Sequence, residues 1–343
     1  MRDMDRLRAA LSFICPDDRE VWVRMGMAVK SELGPDGFEV WDQWSRLSAS
    51  YEPAAAKSVW KSFKGGGKVS AGSLFHEARR AGWRDDTAHA PVDPVAAERR
   101  RQERLAREQA DAAQRAASAA RAAQRGGALW RSAQDAGESP YLVRKGVVAE
   151  GVRFLGDGSL VVPMVRYDRP RESALAGVQL IGPDGSKRFT PGTAKSGAAC
   201  RLGLVVVGAP VLLCEGLATG LTIRAATGRR FPVYVAFDAG NLAPVAEILR
   251  ALHADCPLLV CADDDWQTKG NPGIAKAKAI TKALPFAHMI YPVFPAARGA
   301  RDTDFNDLQA CAGLDAVTRQ FAAPLAHLGK LRVRPGERRR HVA

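Results

Sequence analysis

Glu215 stands directly after the apolar run VLLC (211–214), and Asp263, Asp264 and Asp265 stand directly after PLLVCA (257–262). Asp238 follows a third such run, VYVAF (233–237). Carboxylates crowded at one edge of a fold repel one another, and some hold a proton at neutral pH unless a cation is present. A donor set made only of hard oxygens suits magnesium or manganese. Such an ion clamps phosphate oxygens and stabilises charge during phosphoryl transfer. A single aspartate has a simpler use, because Asp is a good helix N-cap. That use fits Asp238 or Asp264, but it does not account for Glu215, Asp263 and Asp265 together.

The elements that must position these acids alternate along the chain. Helical stretches are expected at about 217–227, 243–253 and 272–284, each after one of the apolar runs, and MIYPVF (289–294) supplies a further strand. Uninterrupted apolar strands separated by helices predict a parallel sheet covered on both faces. Functional groups in such sheets gather beyond the carboxyl ends of the strands. Neighbouring strands lie about 4.8 Å apart, so acids at adjacent ends can share a site. Alternation along an extended segment sends Asp263 and Asp265 to one side and Asp264 to the other. Before this region, LVVPMVRY (160–167), ALAGVQLI (174–181) and the turn GPDGSK predict an antiparallel hairpin.

The 343 residues allow two compact domains. Five segments are expected. Residues 1–84 form a small all-α domain, with Leu7, Leu11 and Ile14, then Val21, Trp22, Met25 and Val29, at helical spacing. Trp41, Trp44, Trp60, Phe63, Leu74, Phe75 and Trp83 complete an aromatic core, read as packing rather than base stacking. Residues 85–126 are rich in Ala and Arg without an apolar face, which reads as a helical or disordered linker. Residues 127–204 form a basic α+β subdomain, 205–322 the α/β domain with the parallel sheet, and 323–343 a basic tail.

Several function classes drop out. FKGGGK (63–68) has Val69 where a phosphate loop needs Ser or Thr, so no nucleotide-driven motor is expected. The six cysteines have no C-x-x-C pair or zinc-ligand spacing, and Cys214 and Cys261 read as buried hydrophobes. No run reaches the ~18 apolar residues of a membrane span, and a cytoplasmic chain without a membrane partner is expected. A net charge of +13 favours a polyanionic partner, with nucleic acid the first candidate.

These residues carry a family resemblance. VLLC-Glu215-Gly216 and Ala262-Asp263-Asp264-Asp265 resemble the Toprim domain of bacterial primases, topoisomerases and related nucleases. ADDDWQTKGNPGIAKA and TDFNDL (303–308) look most like the primases of plasmids, phages and integrative elements. PYLVRKGV (140–147), LVVPM and KRFTPGTAKSG (187–197) resemble the basic subdomain that precedes Toprim in them. REVWVRMGMAVK, FEVWDQWS and WKSFKGGGKVSAGSLFHEAR resemble the small helical domain often found C-terminal to the catalytic part of archaeo-eukaryotic-type primases. Its N-terminal position departs from that arrangement, and no zinc ribbon or fused helicase accompanies it.

The resemblance implies a Rossmann-like Toprim sheet and a DNA primase, a nucleotidyltransferase that uses Mg2+ or Mn2+. Its implied partners are a single-stranded DNA template, nucleoside triphosphates and a replicative helicase. Glu215, Asp263 and Asp265 would be the catalytic and metal-binding acids. Many members carry another acid shortly after the Glu; Thr219 and Gly220 stand there instead, leaving the number of metals open. Asp304 and Asp307 would be outer metal ligands or turn caps. Arg144, Lys145, Lys187, Arg188 and Lys195 would form a basic ridge for triphosphate or template backbone. A Toprim nuclease and a non-catalytic DNA- or helicase-binding adaptor are the alternatives.

Overall fold

The computed structural model describes residues 2–63, 69–85, 94–295 and 298–330. The glycine loop at 64–68 and the end of the basic tail from residue 331 lie outside the described residues. Two compact units are present, Met1–Asp111 and Ala112–Ala343.

In the first unit, five helices surround one core: α1 (Arg2–Leu11), α2 (Arg19–Leu33), α3 (Phe38–Ser45), α4 (Pro53–Ser62) and α5 (Ala71–Arg80). Local chemistry sets their starts. Asp18 caps α2 by accepting from Val21 N–H, and Glu52 caps α4 through Ala54 and Ala55 N–H, with Pro53 at the first helical position. Leu7, Leu11, Met25, Val29, Trp41 and Leu74 are fully buried. Trp41 stacks on Trp60 at 5.5 Å. The indole N–H groups of Trp22, Trp41 and Trp44 donate to Ser45 Oγ, Trp22 O and Ile14 O. Indoles with both ring and N–H committed internally are core residues.

Helix α6 runs from Pro94 to Ser132, past residue 126 where the sequence suggests that the linker ends. Its last turns dock on a sheet through small residues. Ala122 is buried, and a Cβ added to Gly126 would lie 2.8 Å from Gly177 Cα. An apolar face made of Ala and Gly gives almost no hydrophobic periodicity, so the segment reads as solvated in sequence.

After α7 (Pro140–Lys145) comes an antiparallel sheet of β1 (Arg153–Phe154), β2 (Leu160–Val165), β3 (Leu175–Ile181) and β4 (Lys187–Phe189) in that order. The second sheet contains β5 (Cys200–Leu202), β6 (Val211–Cys214), β7 (Val233–Val235), β8 (Leu258–Cys261) and β9 (Ala287–Ile290), ordered β5-β7-β6-β8-β9. Strands β6 to β9 are parallel, but β5 runs antiparallel on β7. The sheet is therefore mixed, a correction to the wholly parallel expectation. Three residues between glycines are too short to announce a strand, and β5 precedes the expected boundary at 204/205. The last strand also comes earlier than MIYPVF suggests, because Pro292 has no N–H for a ladder bond.

Helix α8 (Leu217–Ala226) joins β6 to β7, α9 (Leu242–Leu252) joins β7 to β8, and α10 (Pro272–Ala283) joins β8 to β9. Helices α11 (Phe305–Ala312) and α12 (Leu314–Leu328) complete the unit. Alternate strand residues choose the faces. Leu212, Cys214, Leu259 and Cys261 pack with α8, α11 and α12; Val211, Leu213, Leu258 and Val260 pack with α9 and α10. Leu325 and Leu328 belong to the first of these cores, so α12 extends beyond residue 323 where the tail was expected. Leaving β6 the chain turns towards β7, and leaving β8 it turns towards β9. The strand order thus reverses between β6 and β8, and the carboxyl edge there is the crevice where open α/β sheets bind ligands.

Candidate active site at the carboxyl edge

Leu213 lies opposite Val260, so Glu215 and Asp263 emerge on neighbouring strands at that crevice. Glu215 is partly buried and the ends of β6 and β7 are tied by Phe237 N–H donating to Glu215 O at 2.8 Å. Phe237 adopts a left-handed backbone (φ 72°), a costly conformation for an aromatic residue. Burial, and then the charges of Asp265 and Asp238, push the Glu215 carboxyl above its ordinary value; Lys276 and Lys187 oppose the shift.

Asp263 is the most perturbed acid of the group. Burial raises it well above the usual carboxylate range, and Asp304, Glu215, Asp265 and Asp307 raise it further. Its Oδ1 is buried without a hydrogen-bond partner. The Asp265 carboxylate accepts from Gly273 N–H at 3.0 Å, at the start of α10. A Cβ on Gly273 would lie 2.2 Å from Asp263 O and 3.1 Å from Asp265 Oδ2. Gly273→Ala is therefore expected to destabilise the fold by about 1–3 kcal/mol, the usual cost of overpacking. A denaturant midpoint equal to wild type would show that the loop yields freely.

Asp304 and Asp307 act as caps and also border Asp263. Asp304 caps α11 through Asn306 and Asp307 N–H, both at 2.8 Å, and accepts from Thr219 Oγ at 2.8 Å. Burial and Asp307 raise its carboxyl. Asp307 accepts from Asp304 N–H at 3.3 Å, completing a capping box, and also from Thr303 N–H at 2.9 Å. Thr219, shortly after Glu215, thus ties α8 to Asp304. Asp238 caps the short turn at Ala239–Asn241 and meets Lys195 Nζ at 2.7 Å. Asp264 does not cap a helix. It holds Arg298 at 2.6 Å and Asn271 at 2.6 Å, and Asn271 itself caps α10.

The basic residues divide. Lys145 lies 3.8 Å from Asp307, Lys195 pairs with Asp238, and Lys187 acts on Glu215. Arg188 alternates to the opposite side of β4, where it adds a small part to the lowering of Asp157 that hydrogen bonds from Ser159 dominate; Arg144 adds a similarly small part at Asp184 in the β3–β4 turn, where hydrogen bonds from Ser186 dominate. Those two arginines are not gathered with the acids. The end of α7 is fastened to α11 by Asn306 Nδ2 donating to Lys145 O and Gln309 Nε2 donating to Gly146 O, both at 2.7 Å. Lys276, Asn271 and Arg298 were not singled out in sequence. Each resembles an ordinary surface residue until the chain folds back on the acidic loop.

Among the described residues no three His, Cys, Asp or Glu side chains form a ready-made ion cage. The donors nevertheless fit a hard divalent cation: they are carboxylate oxygens, and Asp263 Oδ1 is a buried acceptor lacking any donor. No described helix is long and apolar enough to cross a membrane.

Residues 7–78 match the family model "Primase C terminal 2 (PriCT-2)", in agreement with the resemblance drawn for the N-terminal helices. Two curated Escherichia coli relatives, each called DNA primase TraC, are similar to part of the chain. One is 36% identical over 165 residues, 46% of this chain and 15% of the relative. The other is 34% identical over 174 residues, 48% of this chain and 12% of the relative. The chain thus spans less than a sixth of the length of either. The crystal structure of the primase fragment of bacteriophage T7 primase-helicase protein matches with 16% identity and a TM-score of 0.38, over 52% of this chain and 69% of that one.

Proposed function

We propose that this chain, similar in part to DNA primases and carrying a PriCT-2 segment, is a Toprim-type primase of a plasmid, phage or integrative element. It would make primers on single-stranded DNA from nucleoside triphosphates. The observation that carries this reading is Asp263: a half-buried residue whose Oδ1 is buried and unpartnered, beside Glu215 at the strand-order reversal. The two relatives called DNA primase support the choice of reaction.

In this reading Asp263 and Asp265 hold Mg2+ or Mn2+, with Glu215 beside them. The bound ion would clamp phosphate oxygens and offset their developing charge. Glu215 would accept the proton of the primer 3′-hydroxyl as that oxygen attacks the α-phosphate; pyrophosphate leaves. Lys145, Lys187, Lys195 and Lys276 border the acids and supply charge for triphosphate or template backbone. Asp304 and Asp307 add negative charge beside Asp263, while Asn306 and Gln309 hold α11 against the end of α7. The segments 127–204 and 205–322 then serve as the basic subdomain and the Toprim domain, β5 completing the Toprim sheet. Residues 1–84 serve as an accessory domain for template or a replicative helicase.

Incubation with single-stranded DNA, labelled ribonucleotides and magnesium tests the proposal. New oligonucleotides are expected. Shortened template without synthesis would instead indicate a nuclease, and a mobility shift with neither product an adaptor.

A further inference from the structure

We infer that Arg298 is a positioning residue for the carboxylate site: its guanidinium braces the Asp263–Asp265 loop against the segment that carries Asp304 and Asp307. The inference rests on reading those carboxylates as a cation site, and it assigns a task to two residues outside that set, Arg298 and Asp264.

The geometry is that of a fork with four of its five N–H groups engaged. Arg298 Nη1 donates to Asp264 Oδ2 at 2.6 Å, and Nη2 donates to Asp264 O at 2.8 Å. On the other side Nε and Nη2 donate to Asp302 O at 2.8 and 2.6 Å. One side chain therefore grips the central residue of the acidic triplet by both carboxylate and backbone. It also grips the carbonyl two residues before Asp304. Asp264 N–H donating to Thr303 O at 2.7 Å adds a direct link between the same two segments.

The guanidinium is held from its faces as well. Its centre lies 5.0 Å from the Trp266 ring and 4.2 Å from the Phe294 ring. The Arg298 and Asp264 side chains are only 17% and 15% exposed. A cation engaged this fully is not available to meet a phosphate. Its effect must pass through the backbone that it fixes. Asn271 holds the other oxygen of Asp264, so the Asp264 carboxylate is likewise committed. The planar fork is essential, because a lysine ammonium cannot span the same acceptors at these angles.

Charge and positioning predict opposite signs. Removing a cation beside several carboxylates should tighten binding of Mn2+ if only the field matters. Removing a brace should loosen it, as loss of groups that orient metal ligands does, by about 10- to 100-fold. Mn2+ titrated into the full chain, read by electron paramagnetic resonance of the free ion, separates the two. Arg298→Met and Arg298→Lys are both expected to weaken Mn2+ binding by about 10-fold or more. The primer-synthesis rate at saturating nucleotide should fall with them while the nucleotide KM holds. Asp264→Asn should weaken binding in the wild-type background and add nothing in Arg298→Met, because both act through one contact.

Wild-type affinity in Arg298→Lys would overturn the inference, and it would do so even if Arg298→Met failed to fold. Unchanged or tighter binding in Arg298→Met would overturn it too, as would additive losses with Asp264→Asn, which would make Asp264 a ligand itself. A wild-type chain that binds no Mn2+ removes the cation-site reading and the brace with it. A wild-type chain that binds, with unaffected Arg298 variants, removes the brace alone.

Discussion

Asp263→Asn is expected to reduce magnesium-dependent primer synthesis by at least about 1,000-fold, near 4 kcal/mol of transition-state stabilisation. The same change should make the metal-free protein more stable. The native carboxylate is half-buried among four other acids, and its buried Oδ1 has no donor. An amide of the same shape carries no charge into that setting, so the repulsion disappears and the desolvation penalty falls. Loss of activity with gain of stability is the signature of a residue kept for function at the expense of the fold. Thermal denaturation in EDTA, beside the primer assay, checks both halves. An active Asp263→Asn enzyme would sink the proposed chemistry, and an inactive but less stable one would mean that Asp263 is structural.

The raised carboxyls should contribute a fall in the stability of the metal-free protein as pH rises, a contribution that Asp263→Asn makes smaller. Glu215, Asp263 and Asp304 all have carboxyls raised by burial and neighbouring acids. A group whose pKa is higher folded than unfolded binds more proton in the native state. Its stabilisation is complete below the ordinary carboxylate range, about pH 4, and is lost as pH climbs through the raised value. His253 and His288, lowered by burial, have the opposite slope in this window, and Asp157, Asp168 and Asp184 have it at lower pH, but all are common to both proteins, so the difference between wild type and variant isolates the contribution of Asp263. Magnesium should restore the wild-type melting temperature most at high pH, where the acids are ionised, by binding only the folded form. Melting curves from pH 5 to 8, with EDTA or with magnesium, measure this. Parallel curves for the two proteins would mean that Asp263 does not ionise in this range.

Much of the architecture was legible because it is written in local, repeated signals. Buried strands such as VLLC and LLVC are apolar throughout since both faces are covered, and the helices between them follow from chain order. The helical core at the N-terminus was legible for the same reason, since Leu7, Leu11 and Ile14, then Val21, Trp22, Met25 and Val29, recur at helical spacing. What escaped detection had weak local signals: the three-residue antiparallel β5, and the Ala/Gly face of α6 that meets Gly177 backbone.

The site divides in the same way. Sequence alone determined which acids stand at strand ends, because a carboxylate directly after an apolar run must emerge at the sheet edge. It determined, too, the presence of the basic residues and of TDFNDL. Only the tertiary structure decided which of these meet. It leaves Asp263 without a donor, turns Asp304 and Asp307 into caps bordering it, and sends Arg144 and Arg188 elsewhere. It also makes Asp264, which reads in sequence as a helix cap, the anchor for Arg298. The physical reason is range. A strand end or a cap is specified within a few residues, whereas burial, charge pairing and the fork of Arg298 depend on segments that only folding brings into contact.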